Sequence, residues 1–418
     1  MLRSQEVGPI LPLFAAESMS LEIRVPLSIM NFLQFAIWGA WWVVLGNYLN
    51  SLQFSRKDIG RIYATIPIGA IISPMFLGTI ADRYFEAQAL MGVLHLVGAV
   101  LLFLLARIRT ARTFFWIALV YALAYSPTLT LSNTVIFKNV PQSLNFPEIR
   151  VLGTIGWIAA GLSLRLFIKP GDQVNNKPLL LAAVLSAILG AYSFFLPHTP
   201  PSENVSAEIP FIKAFRMFGE PASAVFLGAS FLITIALAFY YSFTALYLEQ
   251  GAKVKPENVG PLMTVGQWVE IVFMLTLPWF ITELGMKWVL IMGMAAWGLR
   301  YAIFAMRPPL PLIMLGIALH GICFDFFFAA GMIHTENIAP ADIKASAQSL
   351  FGVLTYGLGM WLGTEASGWL NQAFTHETVD PTTGEKLRLT DWGKFWLIPC
   401  LGVIASLAIF VIFFNMPS

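Results

Sequence analysis

The sequence predicts an all-α integral membrane protein, with about twelve transmembrane helices arranged as two six-helix halves. Three observations carry this. Of the 418 residues, 57% are hydrophobic and only 11% charged, and the mean hydropathy is +0.73, whereas soluble domains carry roughly 25% charge. Apolar windows of about 20 residues, the length that crosses about 30 Å of hydrocarbon, recur along the chain. A polar stretch, HTPPSENVSAEIP from His198 to Pro210, separates the sixth window from the seventh.

Residues 1–24 hold a weak apolar patch broken by Pro9 and Pro12, without the basic region, short apolar core and cleavage site of a secretory signal, and read as an uncleaved tail. The first half, residues 25–197, contains windows from Val25 to Leu49, Ile59 to Ile80, Ala89 to Leu105, Phe114 to Val135, Arg150 to Ile168 and Leu179 to Leu196. Residues 198–220 form the central linker. The second half, residues 221–418, runs from Ala222 to Leu248, Val259 to Ile281, Met286 to Met306, Leu310 to Ile333, Ala345 to Leu370 and Phe395 to Phe414. PMFLG at Pro74 and PWFIT at Pro278 end the second helix of each half, a faint internal repetition of the kind secondary transporters carry. The polar segment from Asn371 to Phe395 reads as a solvated connection.

A formal net charge of +2 gives no basic excess, which sets nucleic acid aside as a partner. Cys323 and Cys400 lie inside apolar windows, with neither disulfide-framework nor metal-ligand spacing. There is no nucleophile and base arrangement, phosphate loop or metal cluster, so neither enzyme activity nor a cofactor is expected, and catalytic and metal-ligating residues are none.

Polar residues inside the windows are the functional clues, because a charge at mid-bilayer costs on the order of 3 kcal/mol or more unless it faces a cavity or a partner. Asp325, in HGICFDFFFAAG, sits among Phe324, Phe326, Phe327 and Phe328. It is either interhelical glue worth roughly 1 kcal/mol or a carboxyl that takes up and releases a proton. In GQWVE, Gln267 and Glu270 are three apart and share a helical face, an amide beside a carboxylate that suits a hydroxylated or heterocyclic ligand, with interhelical glue as the alternative. In EIRVLGTIGW, Arg150 and Thr154 share a face, while Gly153 and Gly156 let another helix approach closely. Arg150, near a helix end, has snorkelling to the interface as its alternative. The first helix brings Asn31 and Gln34 together with Trp38, Trp41 and Trp42; Gln34 reads as a ligand contact, Trp41 and Trp42 as interface anchors. His95, His320 and Glu365 are further intramembrane polar groups, and lone histidines in apolar helices read as hydrogen-bonded packing residues. In GTIADR, Gly78 permits close helix contact and Asp82 and Arg83 emerge at the membrane face, where they can lock one conformation.

GxxxDR after the second helix of such a chain resembles the loop motif of the major facilitator superfamily. MNFLQFAIWGAWWVVLG, PTLTLSNTVIF, RVLGTIGW, GQWVE, HGICFDFFF and AQSLFGVLTYGLG together resemble the nucleoside:proton symporter family, whose known members are bacterial nucleoside permeases. The resemblance implies a substrate pocket that includes Arg150, Thr154, Gln267, Glu270, Phe324 and Asp325. It also implies a proton as coupling ion, a nucleoside or related small polar solute as substrate, and the lipid bilayer as surroundings. Asp325 is the expected proton site, with Glu270 second. The chain is expected to be a monomer in the cell inner (plasma) membrane, with both termini and the linker cytoplasmic. The Lys/Arg loop distribution points the other way, since Arg107, Arg109, Arg112, Lys253, Lys255 and Arg307 then lie outside.

One departure stands out. The permeases resemble a seventh-helix pattern of glutamine and asparagine three residues apart, and Leu232 and Ile235 align there, which would leave ligand polar groups unpaired at roughly 1–3 kcal/mol each. Tyr240 and Tyr241, lower on that helix, are the candidates to compensate. A sugar or drug carrier of the same superfamily, or a transporter-like solute receptor, is the alternative expectation.

Overall fold

The computed structural model describes residues 19–73, 84–166, 174–201, 210–379 and 386–414. It is helical almost throughout. Among the described residues, eight helical segments are long and apolar enough to cross a membrane. They are α1 (Leu21–Ser51), α3 (Ala87–Leu105), α4 (Ala111–Asn139), α7 (Pro221–Gly251), α8 (Pro261–Leu284 within the helix Pro256–Leu284), α9 (Met286–Met306), α10 (Leu310–Ile338) and α12 (Trp392–Phe413). Interleaved with them are α2 (Arg56–Tyr63, continuing over residues 65–73), α5 (Phe146–Ser163), α6 (Lys177–Ser193) and α11 (Lys344–Gly352 through Met360–Ala373).

Proline starts many of these helices, at the first turn of α5, α6, α7, α8 and α10, where its missing N–H would have no helical partner. Asp391 caps α12 by accepting from the backbone N–H of Lys394 at 3.2 Å. The turn between α8 and α9 is one residue, Gly285, at φ +80, a conformation that L side chains resist.

Two regions expected to be plain connections have structure. The segment after α11 forms an antiparallel hairpin, Thr375–Val379 with Lys386–Thr390, because Leu387 and Leu389 alternate with charged and polar residues at the strand period. In the linker, Pro210–Ala214 is helical, and Lys213 Nζ meets Asp342 Oδ2, before α11, at 2.5 Å.

The polar residues expected to matter are held by two close helix crossings. At α1 and α5, a Cβ on Gly153 would lie 2.5 Å from Asn31 Oδ1 and 2.9 Å from Arg150 Nη1, and one on Gly156 would overlap the Phe32 carbonyl. At α8 and α10, a Cβ on Gly321 would meet the Glu270 backbone N at 2.8 Å, and one on Gly266 the His320 Cβ at 2.9 Å. Only hydrogen at these positions lets the backbones approach so closely.

Candidate functional site

Arg150 and Thr154 lie one turn apart on α5 and face α8 across the boundary between the two halves. The Thr154 hydroxyl donates to Glu270 Oε1 at 2.7 Å, and both residues are buried. Arg150 does not reach for the membrane surface. It is 4% exposed, with its guanidinium 4.1 Å over the Phe35 ring and 5.7 Å from that of Phe324, and its Nη1 has no hydrogen-bond partner. A buried guanidinium with an unused N–H is a ready donor for an oxygen or ring nitrogen of a ligand. Asn31, fully buried on α1 beside Gly153, also has both amide atoms unpartnered.

On the other side of Glu270, its Oε2 lies 3.8 Å from His320 Nε2. The Gly266–Gly321 crossing produces this, since it sets the Glu270 turn of α8 against the start of the His320 turn of α10. His320 is stacked on Tyr240 at 5.2 Å and meets Tyr241 edge-on at 6.2 Å. Tyr356 of α11 lies within electrostatic range of Arg150 and Glu270.

Asp325 is enclosed, and neither carboxylate oxygen has a hydrogen-bond partner. Interhelical glue is therefore not what this structure gives it. Glu270 and Arg150 are the charges acting on it. Asp325 opens a π-helical turn, Asp325–Ala329, that interrupts α10. Such a turn carries an extra residue and turns the rest of the helix by about 100°, and π-turns concentrate at functional sites. A second one, Val353–Gly359, interrupts α11 at Tyr356.

Other expected residues lie elsewhere. Gln34 is fully buried inside the first half: its amide N donates to Thr128 Oγ1 at 2.8 Å, and its Oε1 lies 2.7 Å from His95 Nε2. Asn31, one turn earlier, is the amide that α1 brings to Arg150. His95 is a hydrogen-bonded packing residue as expected, but His320 is not merely that. Gln267, half-buried one turn before Glu270, turns its amide toward the Met263 and Thr264 carbonyls of its own helix, to which its nitrogen donates at 3.0 and 3.3 Å when the amide is oriented to satisfy both. Glu365 is exposed. Gly78, Asp82 and Arg83 lie outside the described residues.

The α7 pair requires correction. Leu232 is 44% exposed and lines an outer groove with Gly228, Ser406 and Phe410, while the Ile235 carbonyl is packed against Gly363 of α11. Neither fronts the site, so the supposed loss of two amide contacts has no geometric basis. Tyr240 and Tyr241 are the α7 residues that reach it.

Sequence reasoning passed over Arg300, although a lone arginine in the apolar run MGMAAWGLRYAIF met the same cost criterion as Asp325. It is fully buried on α9 behind His320.

Between the halves a cavity of about 30 Å³ remains, lined by Phe35, Trp38, Asn133, Arg150, Gln348 and Tyr356 among others. Toward the end of the bundle where α4 finishes and α11 begins, the halves are in contact: Asn133 Nδ2 of the first half lies 3.4 Å from Met332 Sδ of the second. Among the described residues, no group of His, Cys, Asp and Glu is placed to hold a metal ion.

Comparison with known proteins gives these elements a context. A family model described as "Nucleoside H+ symporter" matches residues 19–418. The putative nucleoside transporter YegT of Escherichia coli (strain K12) is 37% identical over 403 residues, 93% of each chain. The xanthosine permease of the same organism is 33% identical over 419 residues, 94% of this chain and 96% of that one. A crystal structure of the nucleoside transporter NupG superimposes with a TM-score of 0.68 at 31% identity, covering 96% of this chain and 100% of that one. A bacterial homologue of the iron transporter ferroportin, in an outward-facing state, shares the fold with a TM-score of 0.73 at 14% identity, covering 94% and 99%.

Proposed function

The chain belongs to the nucleoside H+ symporter family, and from that premise we propose that it is a proton-coupled symporter importing nucleosides by alternating access. Twelve helices cross the inner membrane as two halves, residues 25–197 and 221–418, with the tail, the linker and both termini cytoplasmic, and the carrier works as a monomer.

The observation that carries the reading is the Thr154–Glu270 hydrogen bond, made from one half to the other at the centre of the polar cluster. A ligand hydroxyl entering there replaces the threonine hydroxyl on the carboxylate, so binding and the contact between halves share one acceptor. Arg150 supplies a donor to the base or sugar, and Phe324 a flat face beside it. The remaining cavity of about 30 Å³ is far smaller than any nucleoside, so the halves must part to admit one, the rocking motion of two-fold repeated carriers.

Asp325 carries the coupling proton. Protonated, it can stay enclosed without a counter-charge; ionised, it needs one, and Arg150 is the neighbouring cation. Glu270 is the second carboxyl on the path, shared with the substrate. Gly78, Asp82 and Arg83, outside the described residues, are assigned the role of locking one conformation.

Purified protein in liposomes tests this with labelled uridine. Uptake above equilibrium when the outside is acid, abolished by a protonophore, is expected. Uridine counterflow absent while a sugar exchanges would assign the carrier to another substrate, and binding without counterflow of any solute would make it a receptor.

A further inference from the structure

Arg300 is fully buried on α9, away from the boundary between the halves, and none of its contacts is a carboxylate. Its Nε donates to the Gly316 carbonyl at 2.9 Å, its Nη2 has no partner, and its guanidinium carbon lies 4.3 Å over the Tyr240 ring and 4.6 Å over that of Trp297. Its remaining contact is Nη1 with His320 Nδ1 at 3.4 Å.

A guanidinium has only donors, so the imidazole nitrogen that faces it must offer a lone pair. A neutral imidazole with a bare Nδ1 carries its proton on Nε2, the atom that lies 3.8 Å from Glu270 Oε2. Arg300 thereby decides which way the His320 N–H points. Tyr240 holds the arrangement in register, because its ring lies against Arg300 and is stacked with the imidazole at an interplanar angle of 16°.

We propose that Arg300 is a positioning residue for substrate binding: through His320 it aims an N–H at one oxygen of Glu270, 3.8 Å away, while Thr154 of the opposite half donates to the other at 2.7 Å. This rests on the nucleoside reading of the site. The carboxylate presented to the substrate is then oriented from both halves, and the chain Arg300, His320, Glu270, Thr154 runs from the periphery of the second half into the first. Substrate that displaces Thr154 still finds the His320 N–H facing Glu270, so the residue belongs with the binding surface of the second half when the halves part.

The test is a double-mutant cycle on purified full-length carrier, with uridine affinity measured by scintillation proximity per folded molecule and KM and maximal rate measured in liposomes. Arg300→Leu and His320→Phe are each expected to weaken uridine binding by about tenfold, the loss of roughly one hydrogen bond to a charged group, with KM raised more than the maximal rate is lowered. The double variant should be no weaker than either single, because both remove the same donor. His320→Gln, which can accept from Arg300 and donate to Glu270, should restore affinity to within about threefold. Should Arg300→Leu not fold, the contrast between His320→Phe and His320→Gln still decides. Wild-type protein that binds no nucleoside overturns the substrate reading and this inference together. Wild-type binding with folded Arg300→Leu unchanged, additive losses in the cycle, or no rescue by glutamine overturns the role of Arg300 alone.

Discussion

Replacing Glu270 probes the reading at its centre, and the structure sets the size of the effect. Glu270 accepts one full hydrogen bond, from Thr154 at 2.7 Å, and has a second donor direction at His320, 3.8 Å from its other oxygen. Glu270→Gln keeps the shape and one acceptor but removes the charge. A hydrogen bond to a charged acceptor is worth roughly 1.5–3 kcal/mol against about 1 for a neutral one, so about 1–1.5 kcal/mol is lost, or roughly tenfold in uridine affinity. Glu270→Ala removes the acceptor altogether. The lost acceptor costs up to about 3 kcal/mol of binding, a weakening of up to a hundredfold or more, while the Thr154 hydroxyl left without its interhelical partner lowers the melting temperature of the unliganded carrier. Affinity is read by isothermal titration on detergent-purified protein, with melting temperature as the folding control. A folded Ala variant that binds uridine within twofold of wild type would refute the argument, because Glu270 could then not have been presenting the acceptor. Affinity equal in Gln and Ala variants would refute the weaker part, that the amide oxygen retains half the contact.

Three further outcomes follow from the same geometry. Asp325→Asn should still exchange labelled for unlabelled uridine across liposomes yet fail to accumulate it when the outside is acid; accumulation at the wild-type level removes Asp325 from the proton path. Gly321→Ala puts a Cβ 2.8 Å from the α8 backbone at Glu270, an overpacking that costs about 1–3 kcal/mol, so its melting temperature should fall together with uridine affinity, and a variant of unchanged melting temperature contradicts the tight crossing. Asp391, outside the membrane, is held below the usual carboxylate range by the backbone N–H of Lys394, with the Lys394 ammonium adding to it. A lowered folded value means that its contribution to stability is present above pH 3.8 and is lost as the pH falls through the folded value. The difference in melting temperature between wild type and Asp391→Ala should therefore shrink on acidification from pH 7 toward 3 (on the order of the carboxylate range), and a constant difference excludes the cap.

Helix placement was legible because hydrophobic windows depend on local composition alone, and proline and glycine mark their ends, as at Pro147, Pro221 and Gly285. The pairing of Arg150 with Thr154 was legible for the same reason, since residues four apart on a helix share a face whatever surrounds it. Which side of a helix faces the other half is a tertiary fact, and there the sequence was silent. Asn31 and Gln34 are equivalent amides one turn apart, yet only the crossing at Gly153 makes Asn31 the neighbour of Arg150 while Gln34 is taken up by His95 and Thr128. The α7 alignment at Leu232 and Ile235 failed likewise, because an apolar helix carries no mark of which face meets lipid. Arg300 was missed by omission rather than by physics.

The cluster also constrains how proton and substrate can be coupled. Arg150, Arg300, Glu270 and Asp325 are buried, two cations and two carboxylates, and Glu336, the other buried carboxylate among the described residues, is paired with Lys344 at 2.7 Å. Uridine is neutral near pH 7, so its arrival cannot neutralise Asp325, and with such a substrate only the proton can change the charge enclosed between the halves. On the proposed reading, what the substrate changes is the hydrogen bonding of Glu270, where it competes with Thr154. Arg150 acts electrostatically on both carboxylates, so a ligand that draws its guanidinium toward the Glu270 side removes the counter-charge that an ionised Asp325 would need. Occupancy by substrate then favours the protonated carrier and protonation favours the occupied one. That reciprocity, required of any two linked binding equilibria, is what a symporter needs at its centre.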